Sequence, residues 1–353
     1  MKLRQFFILV LISQLSVYSQ RGETFEVRTI AFYNVENLFD TINDPKTFDD
    51  DRTPSGKDQW NSERYHQKIA NISKVISVIG SETTHTSPDI IGLSEVENQQ
   101  VLEDLISHPN LREMGYGIVH FESPDERGID VALLYKKAIF LPSTYKSRRL
   151  ILKKEDGERD YTRDQLVVNG FLDNEQFYFI VNHWPSRSGG AARSKPNRVA
   201  AAQLNKQIMD SIYRSDASAR IISMGDLNDD PIDDSLKKTL ETKSDKDALA
   251  PHELYNPMEA LYRKGVGTLA YRDHWNLFDQ IFFTGNLVFA PEQNFRFWKV
   301  GVYRPPYLII QKGAYKGYPY RTYANGNYTG GYSDHFPAYI YLIRKESPPP
   351  GPR

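Results

Sequence analysis

The chain has 353 residues, 44 basic and 45 acidic side chains, a net charge of −1 and no cysteine. That balance excludes binding of nucleic acid by bulk positive charge, and the missing cysteines exclude disulfides, thiolate metal sites and cysteine nucleophiles. Apolar residues at 40%, with 22 Tyr and 18 Phe, supply a large core and exclude a disordered chain.

The first stretch, MKLRQFFILVLISQLSVYSQ, reads as a signal peptide. Lys2 and Arg4 form a positive start, the apolar run from Phe6 to Leu15 is too short to span a bilayer comfortably, and Val17 and Ser19 suit a signal-peptidase site. Cleavage is expected near Ser19–Gln20, giving a periplasmic or secreted protein with no lasting membrane insertion. No cysteine is available there for lipid attachment. Without residues 1–19 the chain keeps 42 basic and 45 acidic residues, a net −3, so a polyanion would have to be met by local basic patches. Residues 25–345 show no repeat and no linker, and read as one domain. The Pro-rich end, 346–353, reads as an extended tail.

EVRTIAFYNVENLF opens with the alternation of a strand. Residues 40–60 are acidic and rich in turn formers, a surface loop; its DDD run could also be read as a calcium site, but a solvated loop is the simpler reading. Ile69, Ile72, Val75, Ile76 and Ile79 recur at helical spacing, with Gly80 as the stop. PDIIGLSEVEN, DVALLYKK, DQLVVNGFL, FYFIVNHW and RIISMGDLND are short apolar runs bounded by turn formers, as buried strands are. Between the last two, SKPNRVAAAQLNKQIMDSIY reads as a helix with Val199, Leu204, Ile208 and Ile212 on its apolar side. LFDQIFF and FPAYIYLI are the last clear strands. Several strands follow one another without a helix between them. That order predicts an α/β (α+β) four-layer sandwich: two packed, mostly antiparallel sheets flanked by helices.

Strand after strand ends in polar residues, where a rigid scaffold places chemistry. Asn34 in FYNVEN could be a simple cap. Glu95 closes a very apolar run, and a carboxylate there needs a metal or a basic partner. Glu97 would share its face only if the strand continued. His183 in FIVNHWPSR competes with a satisfied structural histidine. In GDLND, Asp226 can hold or deprotonate a water and Asn228 can donate to an oxyanion; the plain alternative is a Gly-Asp turn. Asp279 inside LFDQIFF calls for a partner, and the histidine of SDHFP is a candidate.

Each element alone is weak, but their order is not. NxEN, SEVE, NHWPSR, GDLND, FDQIFF and SDHFP together resemble the endonuclease/exonuclease/phosphatase superfamily, the deoxyribonuclease-I-like fold, over roughly residues 26–343. The resemblance implies that Asn34 and Glu95 hold a divalent metal with Asp334 beside it. It implies that Asp226 activates the attacking water, Asn228 contacts the phosphate, His183 bonds the phosphate or its leaving group, and Asp279 orients His335. Such a set suits in-line attack of water on phosphorus, and oxygen ligation points to Mg²⁺, with Mn²⁺ or Ca²⁺ possible. Of the adjacent Asp334 and the distant Asp279, the distant acid is expected to pair with His335. By the same resemblance, Arg127 and Asp130 in ERGIDVALLY and Arg163 in YTRDQLVV are secondary candidates for phosphate contact, the last competing evenly with a surface arginine. Glu122 is a candidate orienter of His183.

Two departures bear on the substrate. Glu97 stands where deoxyribonucleases of this fold carry a groove-reaching arginine, which puts duplex contact in doubt. The segment from Asn294 to Gly331 is long and interleaves Lys299, Arg304, Lys312, Lys316 and Arg321 with tyrosines, a pattern that suits a single strand, a sugar or plain packing. SRSGGAARSKPNR adds positive charge after His183. The expected function is a metal-dependent phosphodiesterase acting on nucleic acid, as a monomer. The alternatives are a phosphatase or phosphodiesterase for small or lipid-linked phosphates, and a binding protein with a degenerate site.

Overall fold

The computed structural model describes residues 23–346. The expected signal peptide and all of the Pro-rich tail beyond Glu346 lie outside the described residues. The strands of the two large sheets are, in chain order, β1 (Phe25–Leu38), β2 (Ile90–Val96), β3 (Tyr116–His120), β4 (Asp130–Lys136), β5 (Phe140–Arg148), β6 (Gln165–Leu172), β7 (Glu175–His183), β8 (Ile221–Asp226), β9 (Leu254–Tyr255), β10 (Asp279–Thr284), β11 (Arg296–Val302) and β12 (Ala338–Lys345). One six-stranded sheet runs β11-β12-β1-β2-β4-β3, the other β9-β10-β8-β7-β6-β5. Within each sheet a single pair is parallel, β1 with β2 and β7 with β8, and the remaining pairs are antiparallel. Among the described residues no helix is long and apolar enough to cross a membrane.

Strand alternation divides the side chains between layers. Ile30 and Phe32 of β1, Phe179 and Val181 of β7, Ile222 and Met224 of β8, and Ile281 and Phe283 of β10 fill the space between the sheets. Burying each such side chain contributes about 1.5–3 kcal/mol. On the outer face of the first sheet, Ala31, Tyr33, Ile91 and Leu93 pack against helix α1 (Ser62–Ile76) through Ile69, Ile72, Val75 and Ile76. Helix α2 (Gln99–Ser107) joins that layer through Val101, Leu102 and Leu105. On the outer face of the second sheet, Ile180, Ile221 and Phe282 pack against helix α3 (Ala191–Ser215). The result is the four-layer arrangement.

The buried face of α3 differs from the expected one. Arg198, Ala201, Ala202, Asn205, Ile208 and Met209 are buried, whereas Val199, Leu204 and Ile212 are only half-buried. The reason is polar. The Asn205 amide donates to Asn182 Oδ1 (2.9 Å) and Ser223 Oγ (3.0 Å), and Arg198 Nε donates to Asp229 Oδ1 (2.5 Å). Polar groups that find such partners can occupy the buried face of a helix, and apolar periodicity does not register them.

Candidate active site

The parallel pairing brings the C-terminal ends of β1 and β2, and of β7 and β8, to one edge of the sandwich. The antiparallel β10 enters there, with Asp279 opposite Asp226 and Asp226 opposite His183. The polar residues follow from alternation. In β1 the face between the sheets reads Ile30, Phe32, then Asn34. In β7 it reads Phe179, Val181, then His183; in β8 Ile222, Met224, then Asp226; and β10 enters with Asp279 before Ile281 and Phe283. Each strand thus replaces its apolar residue by a polar one where the inner layer opens at the edge of the sandwich. Glu95 breaks this rule. Alternation after Ile91 and Leu93 would send it to the helix side. A register shift between Ser94 and Val96, with Glu95 at φ +62°, turns it back over the edge. A non-glycine residue in that region carries strain, which here aims one side chain.

Asn34 is the hub. Its Nδ2 donates to Glu95 Oε1 (3.3 Å) and to Asp226 Oδ2 (3.0 Å), while its Oδ1 accepts from the Glu36 backbone N–H (2.9 Å). The other Glu95 oxygen accepts from the Asn37 N–H (3.0 Å), and the other Asp226 oxygen from the Asn228 N–H (3.0 Å). Two histidines flank Asp226. His183 Nε2 lies 3.7 Å from Asp226 Oδ2 and 3.9 Å from Glu95 Oε1, and His335 Nε2 lies 3.8 Å from Asp226 Oδ2. His335 Nδ1 donates to Asp279 Oδ2 at 2.6 Å, whereas Asp334 Oδ1 is 3.9 Å from Nε2. The distant acid is therefore the one that orients the ring. The loop is pinned by Ser333 Oγ, which donates to the Asn34 carbonyl (2.7 Å) and accepts from the His335 N–H (3.1 Å).

Burial and these contacts push the two histidines in opposite directions. Burial opposes charge on His335, but the carboxylates of Asp279 and Asp226 overcome it and hold the imidazole well above its ordinary range. Burial pushes His183 well below its range, helped by the nearby Arg163 and Arg127 guanidinium groups, so it is neutral. Its Nδ1 is buried without a partner. Burial raises the Asp226 carboxyl to about 6 despite the neighbouring His335. At neutral pH the site holds a carboxylate between one neutral and one charged imidazole.

Asn34, Glu95, His183, Asp226, Asp279 and His335 come together; the remaining predicted residues do not simply join them. Asn228 donates one amide hydrogen to the Trp184 carbonyl (3.0 Å), which leaves its second hydrogen as the only free donor. Arg163 is neither a surface arginine nor a free phosphate contact. It is buried, its Nη1 donates to Asp125 Oδ2 (3.0 Å), and its Nη2 donates to the same Trp184 carbonyl (2.7 Å). It holds the turn behind His183. Asp130 is likewise committed: it bonds His120 Nε2 (3.1 Å) and the Ser123 N–H (2.7 Å). Arg127 remains half exposed near Asp125. Asp334 does not join Asn34 and Glu95, because Arg321 Nη2 donates to its Oδ2 (2.9 Å). Glu122 is exposed beside Asp130 and Glu97 and makes no bond to His183. Glu97 accepts from the Asp40 N–H (2.6 Å), so it has left the face of Glu95.

A neighbouring network around the buried Glu36 and Lys68 was not legible in the sequence. Arg321 Nε donates to Glu36 Oε1 (3.0 Å), the Thr322 N–H donates to Glu36 Oε2 (2.6 Å), and Lys68 Nζ donates to the Tyr332 carbonyl (2.6 Å). Burial and the nearby Asp334 raise the Glu36 carboxyl to about 7, and burial lowers Lys68 to about 8 against the pull of Glu36 and Asp334. The available signal was Lys68 itself, a charge inside the apolar repeat of α1.

Among the described residues, no three acids or histidines converge closely enough to enclose an ion. What the site offers an ion is the Glu95 carboxylate and the Asn34 amide, with the Asp226 carboxylate on the other side of that amide. One or two carboxylates with water completing the shell is the oxygen set that Mg²⁺ takes, so the donor chemistry fits a hard divalent ion in an open site.

The sequence pattern of the endonuclease/exonuclease/phosphatase family matches residues 29–344. Among solved structures, the chain is similar to a humanized D. rerio TDP2 carrying 14 mutations, with 13% identity, a TM-score of 0.55, and coverage of 90% of this chain and 98% of that one. It is similar to an endonuclease/exonuclease/phosphatase family protein from Bacteroides thetaiotaomicron, with 18% identity, a TM-score of 0.53, and coverage of 92% and 97%. It also resembles D. rerio TDP2 complexed with a single-strand DNA product, at 14% identity, a TM-score of 0.52, and coverage of 90% and 98%. No curated protein matches the chain. At these identities the structures share its fold.

Proposed function

This chain belongs to the endonuclease/exonuclease/phosphatase family, and from that premise we propose that it is a divalent-metal-dependent phosphodiesterase that hydrolyses nucleic acid. The observation that carries the reading is Asp226 between two histidines, with their Nε2 atoms at 3.7 and 3.8 Å and one ring backed by Asp279 at 2.6 Å. Asp226 has one oxygen fixed by the Asn228 N–H and the other by Asn34, so its carboxylate is aimed before substrate arrives. In this reading it takes the proton of the attacking water. His335, kept charged, donates from Nε2 to a phosphate oxygen, and Asp279 holds its ring at the angle required. His183, kept neutral, donates a second hydrogen bond, so the two rings meet the phosphate without leaving a second buried positive charge. Asn228 offers its remaining amide hydrogen.

Glu95 and the Asn34 oxygen would hold the cation, with Mg²⁺ the best fit and Mn²⁺ or Ca²⁺ possible. Asn34 turns its hydrogens to the carboxylates, so a metal contact through its oxygen would replace the Asn34–Asp226 hydrogen bond and leave the Asn228 N–H to hold Asp226. The bound ion supplies positive charge to the phosphate oxygens. We further propose that the chain acts as a monomer outside the cytoplasm, after loss of residues 1–19; N-terminal sequencing of the exported protein should begin near Gln20.

The test of the activity is a panel of single-stranded DNA, plasmid, RNA, sphingomyelin and inositol phosphates, each with Mg²⁺, Mn²⁺ or EDTA. Cleavage of a nucleic acid that EDTA abolishes is the expected result. Hydrolysis confined to sphingomyelin or inositol phosphates contradicts the nucleic-acid reading, and no hydrolysis of any phosphoester contradicts the enzyme.

A further inference from the structure

A pocket of about 460 Å³ opens directly beside Asp334, between a short hairpin (Leu269–Tyr271 paired with His274–Asn276) and residues 310–325. Its walls are tied together. Tyr318 Oη donates to Asp273 Oδ1 (2.7 Å) and accepts from the Asp273 N–H (2.6 Å), linking the two segments at their tips. Behind them Trp275 stacks on Phe336, next to His335, with Arg304 over both rings. Arg321 and Asp334 close the end nearest the site, and Asp334 Oδ1 is 3.9 Å from His335 Nε2. A group bound in this pocket is therefore joined to the reacting centre by the length of one side chain.

The lining says what kind of group fits. The polar side chains are largely committed to one another: Asp273 to Tyr318, and Arg321 to Glu36 and Asp334. A sugar needs several fixed donors and acceptors, and few are left. What remains are flat surfaces. Tyr271 is 61% exposed and carries the Arg272 guanidinium over its ring at 5.2 Å, and Tyr315 is 47% exposed with Tyr318 at 5.6 Å. Exposed tyrosine rings on walls held in place from behind are stacking platforms. The exposed Asn325 amide at the rim can pair with the edge of a base. The volume holds one base and its sugar, as pockets for small molecules do.

We propose that this pocket takes the nucleobase of one terminal nucleotide of the ester, so that the enzyme reads the end of a strand rather than gripping it along its length. The proposal rests on the phosphodiesterase reading for the identity of the ester, and its test separates the two. Binding of thymidine 5′-monophosphate and of 2-deoxyribose 5-phosphate is measured by calorimetry in EDTA, where turnover plays no part. The wild type should bind the nucleotide at least about 10-fold tighter than the sugar phosphate, the margin expected of base stacking. The Tyr271→Ala/Tyr315→Ala double variant should lose that preference with its sugar-phosphate affinity unchanged, and Tyr271→Phe/Tyr315→Phe should keep it. Equal affinities in the wild type, a preference surviving the alanine pair, or tighter binding of mannose 6-phosphate than of the nucleotide would overturn the pocket assignment. A preserved nucleotide preference in a protein that hydrolyses no phosphoester would support the pocket and overturn the phosphodiesterase reading.

Discussion

Asn34, His183, Asp226 and Asp279 extend a regular strand face by one step, whereas Tyr315, Tyr318 and Arg321 sit on a segment without long strands. The first group takes its position from two sheets that would form whatever stood at their ends. The second takes its position from particular bonds: Arg321 to Glu36, Thr322 to Glu36, Tyr318 to Asp273 and Lys68 to the Tyr332 carbonyl. Chemistry that tolerates little displacement is placed on the sheets, and recognition is placed where the chain can vary without disturbing them. The comparison predicts that damage to the first region abolishes turnover without unfolding the protein, and that damage to the second loosens structure and selectivity first.

The largest expected effect is on the first region together with His335, which Asp279 of that region orients. His335→Ala should lower kcat by about 10²–10⁴-fold, the usual contribution of a positioned acid or base, and Asp279→Asn should follow it because the imidazole loses its orienting charge. Both should stay folded, with His335→Ala melting below the wild type because it leaves the buried Asp279 carboxylate without its partner, checked by steady-state kinetics beside circular dichroism; an active His335→Ala would break the comparison at its first half. Removing divalent ions with EDTA should bring turnover to background, with Mg²⁺ restoring it, and undiminished hydrolysis in EDTA would remove the metal from Asn34 and Glu95. Next in size is Arg321→Met, which strips a hydrogen bond from the buried Glu36 carboxylate. It should cost about 1–3 kcal/mol in urea unfolding and lower kcat/KM far less than His335→Ala does. The smallest effect is a slope. Burial lowers the Lys68 ammonium to about 8 in the folded protein, below its unfolded value of about 10.4. Between those values the unfolded chain binds the extra proton, so this group makes stability rise with pH across that window. The slope measured by thermal melts from pH 8 to 10 should be shallower in Lys68→Met.

How far the sequence could reach follows the same division. The four-layer arrangement was readable because apolar runs and their order survive in one dimension. His183, Asp226 and Asp279 were readable because each ends or begins such a run. The pairing of His335 with Asp279 rather than its neighbour Asp334 was also within reach, since Asp279 lies inside an apolar strand and needs a partner. Other features were not accessible. Glu95 was expected at the site from the family resemblance, but the route it takes, a left-handed residue and a register shift, was not legible, since alternation alone would have sent it to the helix side. Arg163 and Asp130 match family positions, yet Asp125, Trp184 and His120 claim them, and those contacts join residues far apart in the chain or on neighbouring strands. The buried face of α3 turns on Arg198 and Asn205, which a search for apolar residues passes over. The pocket beside Asp334 joins a hairpin at 269–276 to loops at 310–325, and only the folded contacts of Tyr318 with Asp273 and Trp275 reveal that they face each other.

The central claim is that Asp226 takes the proton of a water attacking phosphorus, and Asp226→Asn tests it most directly because the amide keeps the shape and loses the base. Hydrolysis of thymidine 5′-(p-nitrophenyl phosphate) in Mg²⁺ should fall at least about 10²-fold in the variant, with thymidine 5′-monophosphate bound as tightly as by the wild type. Turnover within a few-fold of wild type in a folded Asp226→Asn protein would contradict the account.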